Sequence, residues 1–231
     1  MSHSPALHLR PTAPLGERVL LPGDPGRALA LAQAILVQPR MFNHHRGLWG
    51  YTGAASDGEP LTIQATGMGG PSAAIVLEEL VELGARRFVR VGTCGALKAT
   101  LALGELIIAR EAICADGTSR ALGAGEHTAA DPALTRALHN RAPDAHLGRI
   151  VSVDLFYEHG PPGAGHKDAL AVEMEAATLF ALGAVKGVSV ACVLAVSDTF
   201  DENGARARIA DDALLEAAER MGAIAIAALC G

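Results

Sequence analysis

Residues 188–198 read VSVACVLAVSD, a near-continuous apolar run that stops at a serine and an aspartate. A strand with one face in water alternates apolar and polar residues, so an unbroken run predicts a strand buried on both faces. Such a strand needs helices on each side of its sheet. Residues 176–186 supply one upstream, stopped by Gly187. Downstream, a polar loop at 198–204 leads into a long Ala-rich helix ending near residue 229.

The same alternation extends toward the N-terminus. Residues 87–92 (RFVRVG) read as a strand that runs into a Gly-bearing turn at 92–95, and residues 72–83 as a helix halted by Gly84. Residues 49–53 and 61–66 form a strand pair across Ser56-Asp57-Gly58. Residues 17–23 read as a strand. Asp24 then caps a helix whose first position is Pro25 and whose apolar face carries Ala28, Leu29, Ala32, Ile35 and Leu36. A strand at 105–112, a capped helix at 131–140, a long loop at 156–170 and a strand end at 172–174 complete the series, behind an irregular arm at 1–16. The expected fold is α/β, with a mixed, mostly parallel central sheet flanked by helices. No linker or composition break divides residues 1–231, so a single domain is expected.

Composition narrows the function. Half of the 231 residues are hydrophobic, which excludes disorder, and 19 Lys and Arg against 25 Asp and Glu give a net charge of −6. An acidic chain disfavours nucleic acid as a partner, yet leaves room for a small anion at a local cationic cluster. No apolar run reaches the length of about 20 residues that a membrane span needs, and no leader pattern opens the chain. Cys94, Cys114, Cys192 and Cys230 are scattered without a C-x-x-C pair and read as reduced thiols. A soluble, cytoplasmic protein is expected. There is no H-E-x-x-H, His44 and His45 are adjacent, and no G-x-S-x-G occurs, so neither a metal site nor a serine hydrolase is expected.

Ligands of open α/β sheets sit beyond the carboxyl ends of the strands, and four such ends here are polar. Arg27 falls in the opening turn of a helix, where a cation opposes the helix dipole unless an anion lies between; a solvated surface arginine is the plain alternative. Arg90 lies inside an apolar strand, where an unpaired charge would cost several kcal/mol, so it must meet a carboxylate or a bound anion. Glu173 and Glu175 flank Met174, which in extended chain sends both carboxylates to one side. One of them suits a ribose diol, although Glu175 also fits as a carboxylate at a helix start. Asp198 ends the apolar run, where burial would favour its protonated form and suit it to general acid work; a turn-capping aspartate is the alternative. Gly67-x-Gly69 lacks the third glycine and the acidic residue of a dinucleotide fingerprint, and reads as a close-packed turn.

Taken in order, LPGDPGRA (21–28), HRGLWGYTG (45–53), TGMGGPSAAIVLEEL (66–80), VRVGTCGAL (89–97), SVDLFY (152–157), VEMEAATLF (172–180) and VSDTF (196–200) resemble the bacterial-type, hexameric purine nucleoside phosphorylases. Uridine phosphorylases and methylthioadenosine nucleosidases belong to the same wider family. The resemblance implies that Gly23, Arg27, Arg90 and Thr93 hold inorganic phosphate, with Arg46 completing the clamp across a dimer interface. It implies that His8 reaches the neighbouring subunit's ribose, that Glu175 takes the ribose hydroxyls and that Met174 packs on the sugar. Phe156 would stack near the base, with Cys94, Gly95, Glu173 and Ser197 around it. Asp198 would protonate the purine N7. The arginine that assists it is Arg208 or Arg206, and Arg208 is preferred as the start of the final helix. A homohexamer built as a trimer of dimers is implied, with no metal or organic cofactor.

This chemistry is coherent. Breaking a glycosidic C–N bond develops positive charge on the ribosyl group and negative charge on the base; a held phosphate answers the first and a proton at N7 the second. Between 157 and 170 there is neither the Gln nor the Arg with which uridine phosphorylases typically read a pyrimidine, and nucleosidases lack the phosphate arginines. The reading is therefore phosphorolysis of purine ribonucleosides, with uridine phosphorolysis or a non-catalytic nucleoside-binding module as alternatives.

Overall fold

The computed structural model describes residues 6–157, 165–166, 168–201 and 204–231. Its elements, in chain order, are β1 (Arg18–Leu21), α1 (Pro25–Ile35), β2 (Val37–Asn43), β3 (Gly50–Ala54), β4 (Pro60–Gln64), α2 (Gly70–Glu82), β5 (Arg87–Ala96), β6 (Leu106–Cys114), α3 (Gly117–Ala121), β7 (His127–Ala129), α4 (Pro132–Arg141), β8 (His146–Ser152), β9 (Ala171–Glu173), α5 (Ala176–Lys186), β10 (Ser189–Phe200), β11 (Arg206–Arg208) and α6 (Asp211–Cys230). A single 3₁₀ turn, His45–Gly47, lies between β2 and β3.

Helix starts follow local chemistry. Asp24 accepts from the Arg27 N–H and Asp131 from the Leu134 N–H, each satisfying a donor that the helix leaves free. Gly187 ends α5 with φ of 66°, a left-handed position that glycine takes without cost.

The sheet is mixed, as the sequence predicts. Its order is β11-β10-β6-β8-β9-β5-β1-β4-β3-β2, with β7 against β6. β10 also pairs directly with β5, so β5, β10, β6, β8 and β9 curl into a closed ring, and the rest extends from β5 as an open wing. The central β4-β1-β5-β10 run is parallel, while β5–β9, β10–β6 and the outer hairpins are antiparallel.

Two large apolar cores and one small cluster result. One gathers Val76, Leu77 and Leu80 of α2 with Leu179 and Phe180 of α5; the other gathers Leu31 of α1, Leu134 and Leu138 of α4 and Met221 of α6. β10 serves both by pleat alternation: Val190, Cys192, Leu194 and Val196 enter the first core, and Ala191, Val193 and Ala195 the second. That is the physical reason for the unbroken apolar run.

Three expectations need correction. Residues 92–95 do not turn: β5 continues through them to Ala96. Asp198 does not leave the sheet, because β10 runs on to Phe200 and pairs antiparallel with β11, which stands where the final helix was expected to begin. Arg208 therefore lies in β11, and the final helix starts at Asp211. β2, β7, β8 and the short α3 are additional to the elements read from the sequence. Most of the expected 156–170 loop lies outside the described residues.

Candidate active site

Parallel pairing of β1, β5 and β10 places their carboxyl ends side by side, and the polar residues of interest gather there. Arg90 is the centre. Its side chain is buried, with Nε donating to Glu173 Oε2 at 3.0 Å and the terminal nitrogen Nη2 pairing with Glu175 Oε2 at 2.5 Å. Burial alone disfavours the charge, but the Glu175 and Glu173 carboxylates outweigh it and hold the guanidinium above its ordinary value. Gly92, two residues on and on the same face, makes room: a Cβ there would stand 2.7 Å from Arg90 Cζ.

One guanidinium nitrogen remains. Arg90 Nη1 is buried and has no hydrogen-bond partner. It faces the Gly23 turn, where an added Cβ would lie 4.0 Å from it. Arg27 enters from the first turn of α1, half-buried, and its guanidinium is lowered from its ordinary value by burial, with the Arg90 charge adding to the effect and Asp24 opposing it. Two cations converging on a turn beside an unsatisfied donor form a seat for an oxyanion. Thr93, half-buried on β5 opposite Ala195, is on the same strand end.

The carboxylates are held as firmly as the arginine. Glu175 Oε1 accepts from the Gly69 N–H at the start of α2, so the Gly67-x-Gly69 turn serves a carboxylate rather than a dinucleotide. Each Glu175 oxygen retains a second acceptor direction for a hydroxyl. Glu173 is placed differently from the expectation of a base contact. It accepts from Arg90, from the Ser152 hydroxyl and from the Glu175 and Ala176 N–H groups, and this set of partners makes it an internal anchor for Arg90. Burial pushes its carboxyl upward, while Arg90 and Ser152 pull the other way. Met174 is half-buried against the small Val151, Val153 and Ala169 cluster.

Asp198 sits on an irregularity. Val196 is in register with Cys94 and Asp198 with Gly95, so two residues of β10 span one step of β5, with Ser197 as the extra residue. Bulges re-aim the side chains that follow them. Here the Ser197 hydroxyl donates to Asp198 Oδ2 at 2.7 Å, with the Cys94 carbonyl 3.2 Å away. Asp198 Oδ1 is buried and accepts no hydrogen bond. Arg206 Nε and Arg208 Nη1 stand 3.9 and 3.8 Å from it, on the β11 strand. Arg208 is directly across the ladder from Asp198, and Arg206 across from Phe200.

The expected base wall is recognisable and has one further member. Phe156 is partly exposed, with the Arg206 guanidinium 4.5 Å over its ring and Tyr157 edge-on at 5.0 Å. Phe200, which the sequence reading left without a role, is 5.4 Å from the same guanidinium and packs on Gly95, where a Cβ would come within 3.1 Å of its ring. Cys94 is buried in place, and burial raises its thiol above the ordinary value. No hydrogen bond or ion pair among the described residues carries His8 or Arg46 to this cluster. The His8 ring is instead 2.7 Å from Glu79 on α2, and that carboxylate also accepts the Leu7, His8 and Leu9 N–H groups. Arg46 is exposed, with a left-handed backbone at φ 58°.

Comparison with known proteins identifies the family. Residues 17–229 match the model of the phosphorylase superfamily. The chain is 36% identical to a DeoD-type purine nucleoside phosphorylase of Geobacillus kaustophilus, over 92% of this chain and 97% of that one. It is 35% identical to a guanosine phosphorylase of Halorubrum lacusprofundi, covering 88% and 87%. It is 38% identical to a uridine phosphorylase of Treponema pallidum, covering 79% and 77%. Among solved structures, a uridine phosphorylase from Vibrio fischeri superposes with a TM-score of 0.81 at 25% identity, covering 94% and 92%.

Proposed function

The chain belongs to the phosphorylase superfamily, and from that premise we propose that it catalyses the reversible phosphorolysis of purine ribonucleosides to free base and ribose 1-phosphate. The observation that carries the purine assignment is Asp198: a buried carboxyl on a bulge, one oxygen fixed by Ser197 and the other without a hydrogen bond, 3.9 Å from the Arg206 side chain that lies over the Phe156 ring. A group so placed suits delivery of a proton to purine N7.

In this reading Gly23, Arg27, Arg90 and Thr93 hold phosphate, and Glu175 takes the ribose 2′- and 3′-hydroxyls. Glu173 and Ser152 position Arg90. As the C1′–N9 bond breaks, a phosphate oxygen bonds to C1′ and the Asp198 proton passes to N7, so the base departs neutral. Arg208, across the ladder from Asp198, stabilises the carboxylate left behind. Phosphate is a co-substrate, and the scheme calls for no metal or organic cofactor.

The proposed assembly is a homohexamer made of dimers, with His8 and Arg46 serving the neighbouring subunit. Two features support it. Arg46 is exposed in a region that also exposes Trp49, and Glu79 anchors the arm that carries His8. Four free thiols among the described residues, and no helix there long and apolar enough to cross a membrane, accord with a cytoplasmic setting.

The test is a panel of inosine, guanosine, adenosine and uridine, each with and without phosphate. Purine release that depends on phosphate is expected. Equal release in water alone, or faster turnover of uridine, overturns the assignment; the latter reading is favoured by the Treponema and Vibrio similarities.

A further inference from the structure

Asp116 is fully buried, and the hydrogen bonds it accepts all come from neutral donors. As the cap of α3 it needs only the Ser119 N–H, which reaches Oδ2 at 2.8 Å. The Ser119 hydroxyl takes Oδ1. A third donor arrives from another helix: the Thr178 hydroxyl of α5 is 2.8 Å from the same Oδ2. Threonine in a helix commonly turns its hydroxyl back onto a carbonyl of the preceding turn, but here Asp116 takes it. A carboxyl buried only to cap a helix of five residues would be costly, and the link to α5 gives it a second use.

That use concerns Glu175. Thr178 lies in the first turn of α5, just past Glu175, whose side chain does not cap its own helix but accepts from the Gly69 N–H at the start of α2. Gly70, the next residue of α2, runs against Thr178: a Cβ there would stand 2.5 Å from the Thr178 hydroxyl oxygen and 3.0 Å from Thr118. The starts of α2 and α5 therefore meet at two points, Glu175 on Gly69 and Thr178 on Gly70. The Thr178 atom nearest that glycine is the oxygen, not the bulkier methyl, and Asp116 fixes this choice by holding the hydroxyl. Released from Asp116, the side chain is free to rotate and drive its methyl at α2. Resting on the ribose role given to Glu175 above, we propose that Asp116 and Thr178 are positioning residues for sugar recognition. They hold the α2–α5 contact so that the Glu175 carboxylate meets the ribose hydroxyls. Neither touches substrate; both act through the Gly69–Gly70 helix start.

The experiment measures calorimetric binding of inosine and 2′,3′-dideoxyinosine without phosphate, and the phosphate KM, in the wild type, Asp116→Asn, Thr178→Ala and Thr178→Ser. The wild type is expected to bind inosine about 10- to 100-fold more tightly than the dideoxy analogue, which offers the carboxylate no hydroxyls. Asp116→Asn and Thr178→Ala should narrow that ratio about tenfold through weaker inosine binding, leaving the phosphate KM within about twofold. Thr178→Ser lacks the same methyl as the alanine variant but retains the hydroxyl, and should keep the wild-type ratio. Where Asp116→Asn does not fold, the alanine and serine variants decide the matter between them. An unchanged ratio in Thr178→Ala overturns the inference, as does equal weakening of both nucleosides. So does a serine variant that behaves like the alanine one, which would place the effect in methyl packing. A wild type that binds the two nucleosides equally overturns the ribose role of Glu175 and this inference with it. Base release without phosphate overturns the phosphorolysis reading alone, because the binding ratio is measured in the absence of phosphate.

Discussion

Replacing Gly92 with alanine adds one methyl group to the interior and should disable the anion seat. The new Cβ would lie 2.7 Å from both Arg90 Cζ and Nη2 and 3.0 Å from Leu194 Cδ2. Reaching the 3.4 Å of ordinary contact requires the guanidinium to retreat by 0.7 Å. The tip of an arginine normally yields cheaply, but this one is buried and tied to two carboxylates. Moving it that far stretches the 3.0 Å Nε–Glu173 bond beyond hydrogen-bond reach. Breaking a buried pair costs about 3–5 kcal/mol when one partner is removed outright, so a displaced partner should cost about 3 kcal/mol. For a chain of this size that is a fall in Tm of roughly 6–12 °C. The assay is thermal unfolding with and without phosphate, using Gly125→Ala as the control because nothing lies within 4 Å of a Cβ there. Gly92→Ala melting within about 2 °C of wild type, with phosphate stabilisation intact, would refute the claim that Arg90 has a single tolerated position.

Other substitutions probe separate parts of the argument. Asp198→Asn should lower turnover of inosine by roughly 10²–10⁴-fold in steady-state assays, with the fold unchanged by circular dichroism; full retained activity removes Asp198 from the chemistry. Phosphate at 100 times its dissociation constant should stabilise the wild type by about 2.7 kcal/mol, and Arg27→Ala should lose most of that gain in a melting titration. Glu79 gives a pH prediction. Burial works against its charge, but the Leu9, His8 and Leu7 N–H groups and the His8 ring outweigh this and lower its pKa. A depressed folded-state value contributes stability that is present above the ordinary glutamate range and is lost as pH falls through the lowered value, so the arm should stay docked through that range and detach only in stronger acid. Amide exchange at residues 7–9 followed against pH reads this directly, and protection already lost within the ordinary glutamate range would count against it.

What could be read from the sequence, and what could not, follows from how far apart the contacting residues lie. Arg90 and Asp198 were visible because a charge inside or at the end of an apolar strand demands a partner. Glu175 could be read only as a ribose ligand or as a carboxylate at the start of its own helix; that its side chain takes the Gly69 N–H of α2, more than 100 residues away, had no local signal. Arg208 was misplaced because β11 is only Arg-Ala-Arg: three residues without apolar alternation become a strand only when β10 runs past its apolar stretch to pair with them. The Gly92–Gly95 segment was read as a turn because glycines usually mark one. In the sheet those glycines leave space instead, Gly92 for Arg90 and Gly95 for Phe200. No local signal announces that kind of use.

β11 also ends the sheet on one side, and β2 ends it on the other. At the β2 end, Gln38 with φ of 50° and then Pro39 interrupt the ladder between Val37 and Arg40. At the β11 end, Arg206 and Arg208 provide the interruption through charge. Open strands with free amides template the addition of further chains, and kinks, prolines and cations are the usual protection. Neutral β-forming residues at both 206 and 208 would therefore create a sticky border, and such a variant should self-associate in storage even where each molecule remains folded.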